Sequence, residues 1–279
     1  MTIGQGVAMT NQGTRTGPQT IALLAEQLHA AGLRPHGACL VHSSLSALGW
    51  VSGGAETVIA ALQCALGSTG TLLMPALTYR YVTSAQPRFH ALNTPTHVGA
   101  VAERFRCLPG TQRSLHPTHS VCGSGPGAGA LLRAHHLDRT PAGPASPFAR
   151  LAMAGGQIVM LGCGLRPNTS MHGVEERVVP PYLFAGYADY ELVDDRARTL
   201  CGRYRQHGFA GWRQRYDRIA DLLAGDGARQ GPALAGDVWV LEAEAVWALG
   251  EQALRRDPWC FVEPVAVTGV GPVPDRGPR

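Results

Sequence analysis

The chain has 279 residues, 45% hydrophobic and 16% charged, with 35 glycines and 20 prolines, which suits one large loop-rich domain and excludes disordered or collagen-like compositions. All 24 basic residues are arginine, so Schiff-base chemistry, pyridoxal anchoring and a P-loop are excluded for want of a lysine amine. A formal charge of +4 is too small for a protein held to nucleic acid by a basic stripe, and no apolar run approaches the ~18 residues needed to span a bilayer.

Residues 1–16 are polar, glycine-rich and aperiodic, and residues 269–279 are rich in proline and glycine; both are expected to be loosely ordered tails around a single domain over 17–268. Ile21, Leu24, Ala25 and Leu28 form a helical stripe that ends near Gly32. Ala38–His42 reads as a buried strand, Glu56–Leu66 as a helix, Gly70–Pro75 as a second strand and Val98–Cys107 as a second helix. Gln157–Cys163 is the clearest strand, bounded by Gly155-Gly156 and Gly162. Asn168-Thr169-Ser170 is a capping signal for a short helix over Met171–Arg177. Val174–Asp195, rich in Tyr and Val, is expected to add antiparallel strands, and Gly208–Leu223 and Glu242–Arg255 read as late helices. Strands alternating with helices predict an α/β fold, a central mixed sheet flanked by helices.

The seven cysteines are scattered with no Cys-x-x-Cys pair, so neither a disulfide framework nor a zinc ribbon is indicated. No basic region followed by an apolar stretch marks a secretion leader, and the expected location is cytoplasmic.

Three segments carry candidate chemistry. His42, Ser43, Ser44, Leu45 and Ser46, continuing through Val51 to Gly53 and Gly54, form a Ser- and Gly-rich loop between a strand and a helix start. Such a loop offers backbone N–H groups to a phosphate or to the amide-rich arm of a cofactor. Arg113, Ser114, His116 and His119 lie on an extended segment around Pro117. His172 follows the clearest strand, where active-site groups of α/β sheets gather, with Glu175 and Glu176 three and four residues on. A histidine titrating near pH 6.5 is a natural general base. Between Gln27 and Val174 the only acids are Glu56, Glu103 and Asp138, so a carboxylate that orients this histidine is expected from Glu175 onward.

Read in order, Leu40–Gly49 (LVHSSLSALG), Gly70–Pro75 (GTLLMP), Arg113–Pro117 (RSLHP), Ser146-Pro147 with Arg150-Leu151, Val159–Gly162 (VMLG), Asn168–His172 (NTSMH) and Asp257-Pro258 resemble the aminoglycoside 3-N-acetyltransferase family, across roughly residues 20–264. The resemblance implies acetyl transfer from acetyl-CoA to an amine without a metal. It implies that His172 is the base, that Thr169 stabilises the thioester oxygen, and that the Ser43–Ser46 loop with Arg113 and Ser114 lines the CoA site. Tyr204-Arg205-Gln206-His207, where the family is expected to place an orienting carboxylate, has no acid, which leaves Glu175, Glu176 and Asp217 as substitutes.

The implied partner is a small amine, an aminoglycoside or a relative, bound by a monomer or homodimer that contacts neither nucleic acid nor membrane. Charge argues against the polycation, since such a pocket should be rich in carboxylates. Asp189, Glu191, Asp194 and Asp195 are the only dense acidic patch that could dock it. Two alternatives are a metal-dependent hydrolase using His116, His119 and His172, and a CoA-binding relative without aminoglycoside activity.

Overall fold

A computed structural model describes residues 16–265, residue 224 excepted, so the tails expected at 1–16 and 269–279 lie outside the described residues, Thr16 apart. The helices are α1 (Gly17–Ala30), α2 (Gly54–Leu66), α3 (Ala100–Arg106), α4 (Ala128–Leu132), α5 (Pro147–Met153), α6 (Met171–Val178) and α7 (Ala243–Arg256). The strands are β1 (Ala38–Ser43), β2 (Thr71–Pro75), β3 (Arg88–His90), β4 (Gln112–Arg113), β5 (Val121–Ser124), β6 (Gln157–Leu161), β7 (Phe184–Val193), β8 (Thr199–His207), β9 (Trp212–Gln214), β10 (Ala228–Ala233), β11 (Gly236–Glu242) and β12 (Val262–Pro264).

The central sheet is mixed, in the order β10-β11-β6-β1-β2-β5-β4. β6, β1 and β2 run parallel at its centre, and the outer strands pair antiparallel. Successive side chains of a strand point to opposite faces, and β1 shows the result. Cys39 and Val41 pack with Leu24 and Leu28 of α1, Val58 and Leu62 of α2 and Phe105 of α3. Leu40 packs on the other face with Phe148 of α5, Val174 of α6 and Trp247 of α7. The sheet is therefore covered on both faces, which explains why its inner strands read as unbroken apolar runs.

Beside it, β3, β7 and β8 form a three-stranded sheet over Phe89, Tyr190, Leu192 and Tyr204, and β9 pairs with β12. The antiparallel strands expected in Val174–Asp195 begin only at Phe184, because α6 runs through Val178. The helix expected over Gly208–Leu223 is instead β9 followed by a 3-10 turn, Tyr216–Asp221. Gly211 sits at φ +79, outside any right-handed helix, and β9 finds its partner in β12, too distant in sequence for local periodicity to reveal. β10 carries Gly231 and Pro232, tolerable because it is the edge strand.

Two glycines let the site-bearing segments meet. Gly162 ends β6 at φ +70, and a Cβ there would lie 3.0 Å from the Ser44 carbonyl oxygen. Gly173 in α6 faces the Trp247 ring, 2.3 Å from where a Cβ would sit, so α6 and α7 pack at a distance that only glycine permits.

Candidate active site

Adjacent parallel strands must release their following loops side by side. The Ser44 N–H donates to the Leu161 carbonyl at 2.9 Å, joining the carboxyl ends of β1 and β6. Across that junction the Thr169 backbone N–H donates to His42 Nε2 at 3.0 Å, and the Thr169 hydroxyl lies 2.7 Å from the same nitrogen. Because Nε2 accepts the amide hydrogen it carries no proton, so the hydroxyl must also donate toward the ring. Burial, helped by the neighbouring His172, pushes His42 down to about 3, which keeps it neutral.

His172 occupies the first turn of α6. Its Nδ1 lies 3.3 Å from Glu175 Oε2 and 3.0 Å from the Tyr216 hydroxyl. Glu175 is fully buried, and Tyr182 and Tyr216 donate their hydroxyls to its two oxygens at 2.9 and 2.7 Å. The two tyrosine hydroxyls leave this buried carboxylate able to accept one further hydrogen bond, and the donor in reach is His172 Nδ1–H. That hydrogen bond fixes the tautomer and leaves Nε2 with a free lone pair. Of Glu175, Glu176 and Asp217, the carboxylate placed beside His172 is thus Glu175. Glu176 instead accepts from His207 Nε2 and from the Ala142 N–H, and burial pushes its carboxyl up to about 7. Asp217 is held by Arg215. Ser170, expected to cap α6, accepts from Trp247 Nε1 instead.

Two chambers meet at His172. The first, about 490 Å³, is lined by His42, Ser43, Cys163, Arg166, Thr169 and Arg213 among others. The second, about 390 Å³, is lined by Thr118, His119, Tyr190, Tyr204, Arg205 and His207 among others. Tyr79, His172 and Gln214 line both. The imidazole therefore stands between two compartments, one beside the carboxyl ends of β1 and β6, the other under β8.

Of the loop residues expected to bind cofactor, His42 and Ser43 line the first chamber. Ser44 precedes the 3-10 turn Leu45–Leu48, and its hydroxyl lies 3.3 Å from that of Ser46. Val51 is buried in the core, and Gly53 at φ +80 and Gly54 at φ +56 start α2.

Arg113 and Ser114 are occupied elsewhere. The Arg113 guanidinium donates to the carbonyls of Ala76, Ala91 and Thr94 and to the Ser120 hydroxyl, stacked on Phe89. The Ser114 hydroxyl, almost fully buried, bonds His135 and accepts from the Val121 N–H. Both hold the β4–β5 segment together rather than facing a chamber.

His116 has both nitrogens engaged, Nδ1 by the N–H groups of Thr118 and His119 and Nε2 by the Thr140 carbonyl, so it cannot join a metal set with His119 and His172.

Sequence reasoning missed Tyr216, Tyr182, His207 and Arg166. Tyr216 was hidden inside the expected Gly208–Leu223 helix, and His207 was passed over because an acid was sought there. The acidic patch turns away: Tyr190 faces the second chamber while Asp189 and Glu191 on β7 point to the opposite side. Asp194 accepts from the backbone and side chain of Arg198. Among the described residues, no Asp or Glu lines the second chamber.

Glu175→Gln preserves volume but places an amide where Nδ1–H must be accepted, and the amide NH₂ would drive the imidazole proton to Nε2. The expected result is a kcat lower by roughly a hundredfold with the KM for the first-chamber ligand unchanged. Steady-state rates measure it, and an unaltered kcat would remove Glu175 from the site.

Residues 40–255 match the family model described as aminoglycoside 3-N-acetyltransferase. The chain is 35% identical over 267 residues to aminoglycoside N(3)-acetyltransferase VIII of Streptomyces fradiae, covering 84% of this chain and 91% of that one. It superposes at TM-score 0.76 on a histidine-to-alanine variant of AAC(3)-IVa in complex with a gentamicin, 28% identical, over 87% of this chain and 91% of that one. A third similar structure, AAC-IIIb binary with CoASH, gives TM-score 0.74 at 27% identity, over 87% of this chain and 97% of that one.

Proposed function

The chain belongs to the aminoglycoside 3-N-acetyltransferase family and is an acyltransferase, and from that premise we propose that it transfers acetyl from acetyl-CoA to an amino group of an aminoglycoside or related amine by direct attack, with His172 as general base. The observation that carries the reading is the position of His172, shared by two chambers, with Nδ1 on a buried carboxylate and Nε2 free.

Acetyl-CoA takes the first chamber, which Ser43 of the Ser43–Ser46 loop lines beside His42 and Thr169, and where Arg166 and Arg213 offer charge to its phosphates. Arg113 and Ser114 support this chamber's wall from behind. The amine takes the second chamber.

An ammonium has no lone pair with which to attack. His172 Nε2 removes its proton, and Glu175 stabilises the imidazolium that forms. The nitrogen then adds to the thioester carbonyl, and the tetrahedral intermediate sheds its surplus N–H proton and expels the CoA thiolate; of the two protons the ammonium gives up, one ends on the CoA thiol and the other leaves to solvent through His172. Thr169 serves the oxyanion by rotating its hydroxyl hydrogen from His42 to the carbonyl oxygen. Holding both reactants across one imidazole supplies the proximity that a bimolecular encounter lacks. Glu176 positions the second wall by holding His207. No metal is needed in this sequence of steps.

Cys163 lines the first chamber but is no covalent relay, because burial pushes its thiol up to about 12 and the nucleophilic thiolate is scarce at neutral pH. The protein acts on this reading in the cytoplasm, as one catalytic unit over 17–268, in a monomer or homodimer.

One observation favours a related amine over a fully charged aminoglycoside: the second chamber offers cationic Arg205 and no carboxylate. Thiol release from acetyl-CoA across aminoglycosides and amines of decreasing charge tests both readings. Intersecting double-reciprocal lines with at least one acceptor are expected. Parallel lines, or no turnover with any amine, would overturn the reading.

A further inference from the structure

The second chamber brings three imidazoles together in a way that acetyl transfer does not require. The ring centroids of His172 and His207 are 4.7 Å apart, those of His119 and His207 5.2 Å, and those of His119 and His172 5.6 Å. One nitrogen from each can be chosen so that all three lie within 4.8 Å of one another.

Each ring has one nitrogen engaged in a hydrogen bond. His172 Nδ1 is held by Glu175, His207 Nε2 by Glu176 and His119 Nδ1 by the Thr118 hydroxyl. The nitrogens left over are His172 Nε2, His119 Nε2 and His207 Nδ1. The last is buried without a hydrogen-bond partner in a side chain only 7% exposed. A buried imidazole nitrogen left without a partner is destabilising, and a ligand there would relieve it.

The geometry points to a divalent transition-metal site, for Zn²⁺ or a similar borderline ion, formed by His119, His172 and His207. A tetrahedral Zn²⁺ with nitrogens at about 2.0–2.1 Å holds three imidazole rings with centroids about 5 Å apart, close to the spacing present. Carboxylates on the far nitrogens of two rings and a hydroxyl on the third are the outer partners that fix tautomer and raise ligand basicity in metal centres. Three neutral nitrogens suit Zn²⁺, Co²⁺ or Cu²⁺ and are poor ligands for Mg²⁺, which wants oxygens. All three rings line the second chamber, whose solvent would supply the remaining ligand.

Such an ion competes with acetyl transfer, because it occupies the lone pair with which His172 takes the proton from the amine. The metal site stands on its own geometry; only its inhibitory consequence rests on the function proposed above, and the two are read by different signals.

The test adds Co²⁺ and Zn²⁺ to the full chain at neutral pH. Co²⁺ is expected to bind one equivalent with the intense visible absorption of tetrahedral cobalt, and calorimetry is expected to show one Zn²⁺ displacing it. His207→Gln and His119→Gln, checked for native circular dichroism, should each weaken binding at least tenfold. Thiol release should fall in step with occupancy, return with a chelator and ignore Mg²⁺. Absence of binding, thiolate-to-cobalt absorption marking a cysteine site, or binding unchanged in the properly folded variants would overturn the site. Full turnover with the metal bound would overturn its competition with the base.

Discussion

A His172→Ala protein is expected to bind acetyl-CoA with its ordinary affinity and to acetylate its amine about 10²–10⁴-fold more slowly. Alkylamines of the lysine type titrate near 10.4, so at pH 7 only about one molecule in 10³ is unprotonated, and the variant must wait for that fraction. The loss should fall on kcat, because the first chamber keeps its other lining residues, Ser43, Arg166 and Arg213 among them, when the imidazole is removed. The variant's rate should also keep climbing with pH as free amine accumulates, whereas the parent enzyme supplies its own base. Initial rates of thiol release from pH 6 to 9 measure both effects. A kcat within a few-fold of the parent enzyme, with the same pH profile, would dismiss His172 as the base.

Acid is expected to unfold this protein unusually early. His42, His116, His119, His135 and His207 are all buried, and desolvation lowers each of them, His42 and His135 to about 3 and the other three well below the usual range. The folded state keeps these rings neutral, while the unfolded chain protonates them below about pH 6.5. Their stabilisation is therefore complete above 6.5 and is lost as pH falls below it, each ring contributing up to about 1.4 kcal/mol per pH unit. Two carboxyls act in the opposite sense. Burial raises Glu176 to about 7 and Asp138 to about 6, so protonation favours the fold as pH drops through those values. Five groups against two leave a net slope of about 4 kcal/mol per pH unit below 6. Against a typical stability of about 5–15 kcal/mol, the fold should be lost by roughly pH 4–5. Melting curves by circular dichroism between pH 8 and 4 will show it, and a melting temperature flat from 7 down to 4.5 would contradict it.

The central strands were legible because β1, β2 and β6 are buried on both faces and punctuated by glycine, so burial alone wrote them into the sequence. His172 was legible for a related reason, as the loop after such a strand is where chemistry collects. The choice between Glu175 and Glu176 was not. Both lie within helical reach of His172, and the choice is made by partners from distant segments: Tyr182 and Tyr216 hold Glu175 beside the ring, while His207 and the Ala142 N–H draw Glu176 away. Tyr216 was illegible because a strand whose partner is β12 leaves no periodic trace. The partners of Arg113 were not legible either: an arginine beside a serine invites a phosphate, yet its guanidinium is engaged by three backbone carbonyls of neighbouring loops. Composition did flag the shortage of carboxylates, and the second chamber shows it.

The bond between Thr169 and His42 spans 127 positions, and Trp247 reaches back to Ser170 across 77. No contiguous early fragment contains both halves of the catalytic junction, and closing loops of that length is a late and entropically costly event in folding. A nascent chain still attached to the ribosome is therefore inert until almost all of it has been synthesised. Catalytic competence should appear only when the whole sheet has closed, so regained activity during refolding reports the last structural event and not a local one.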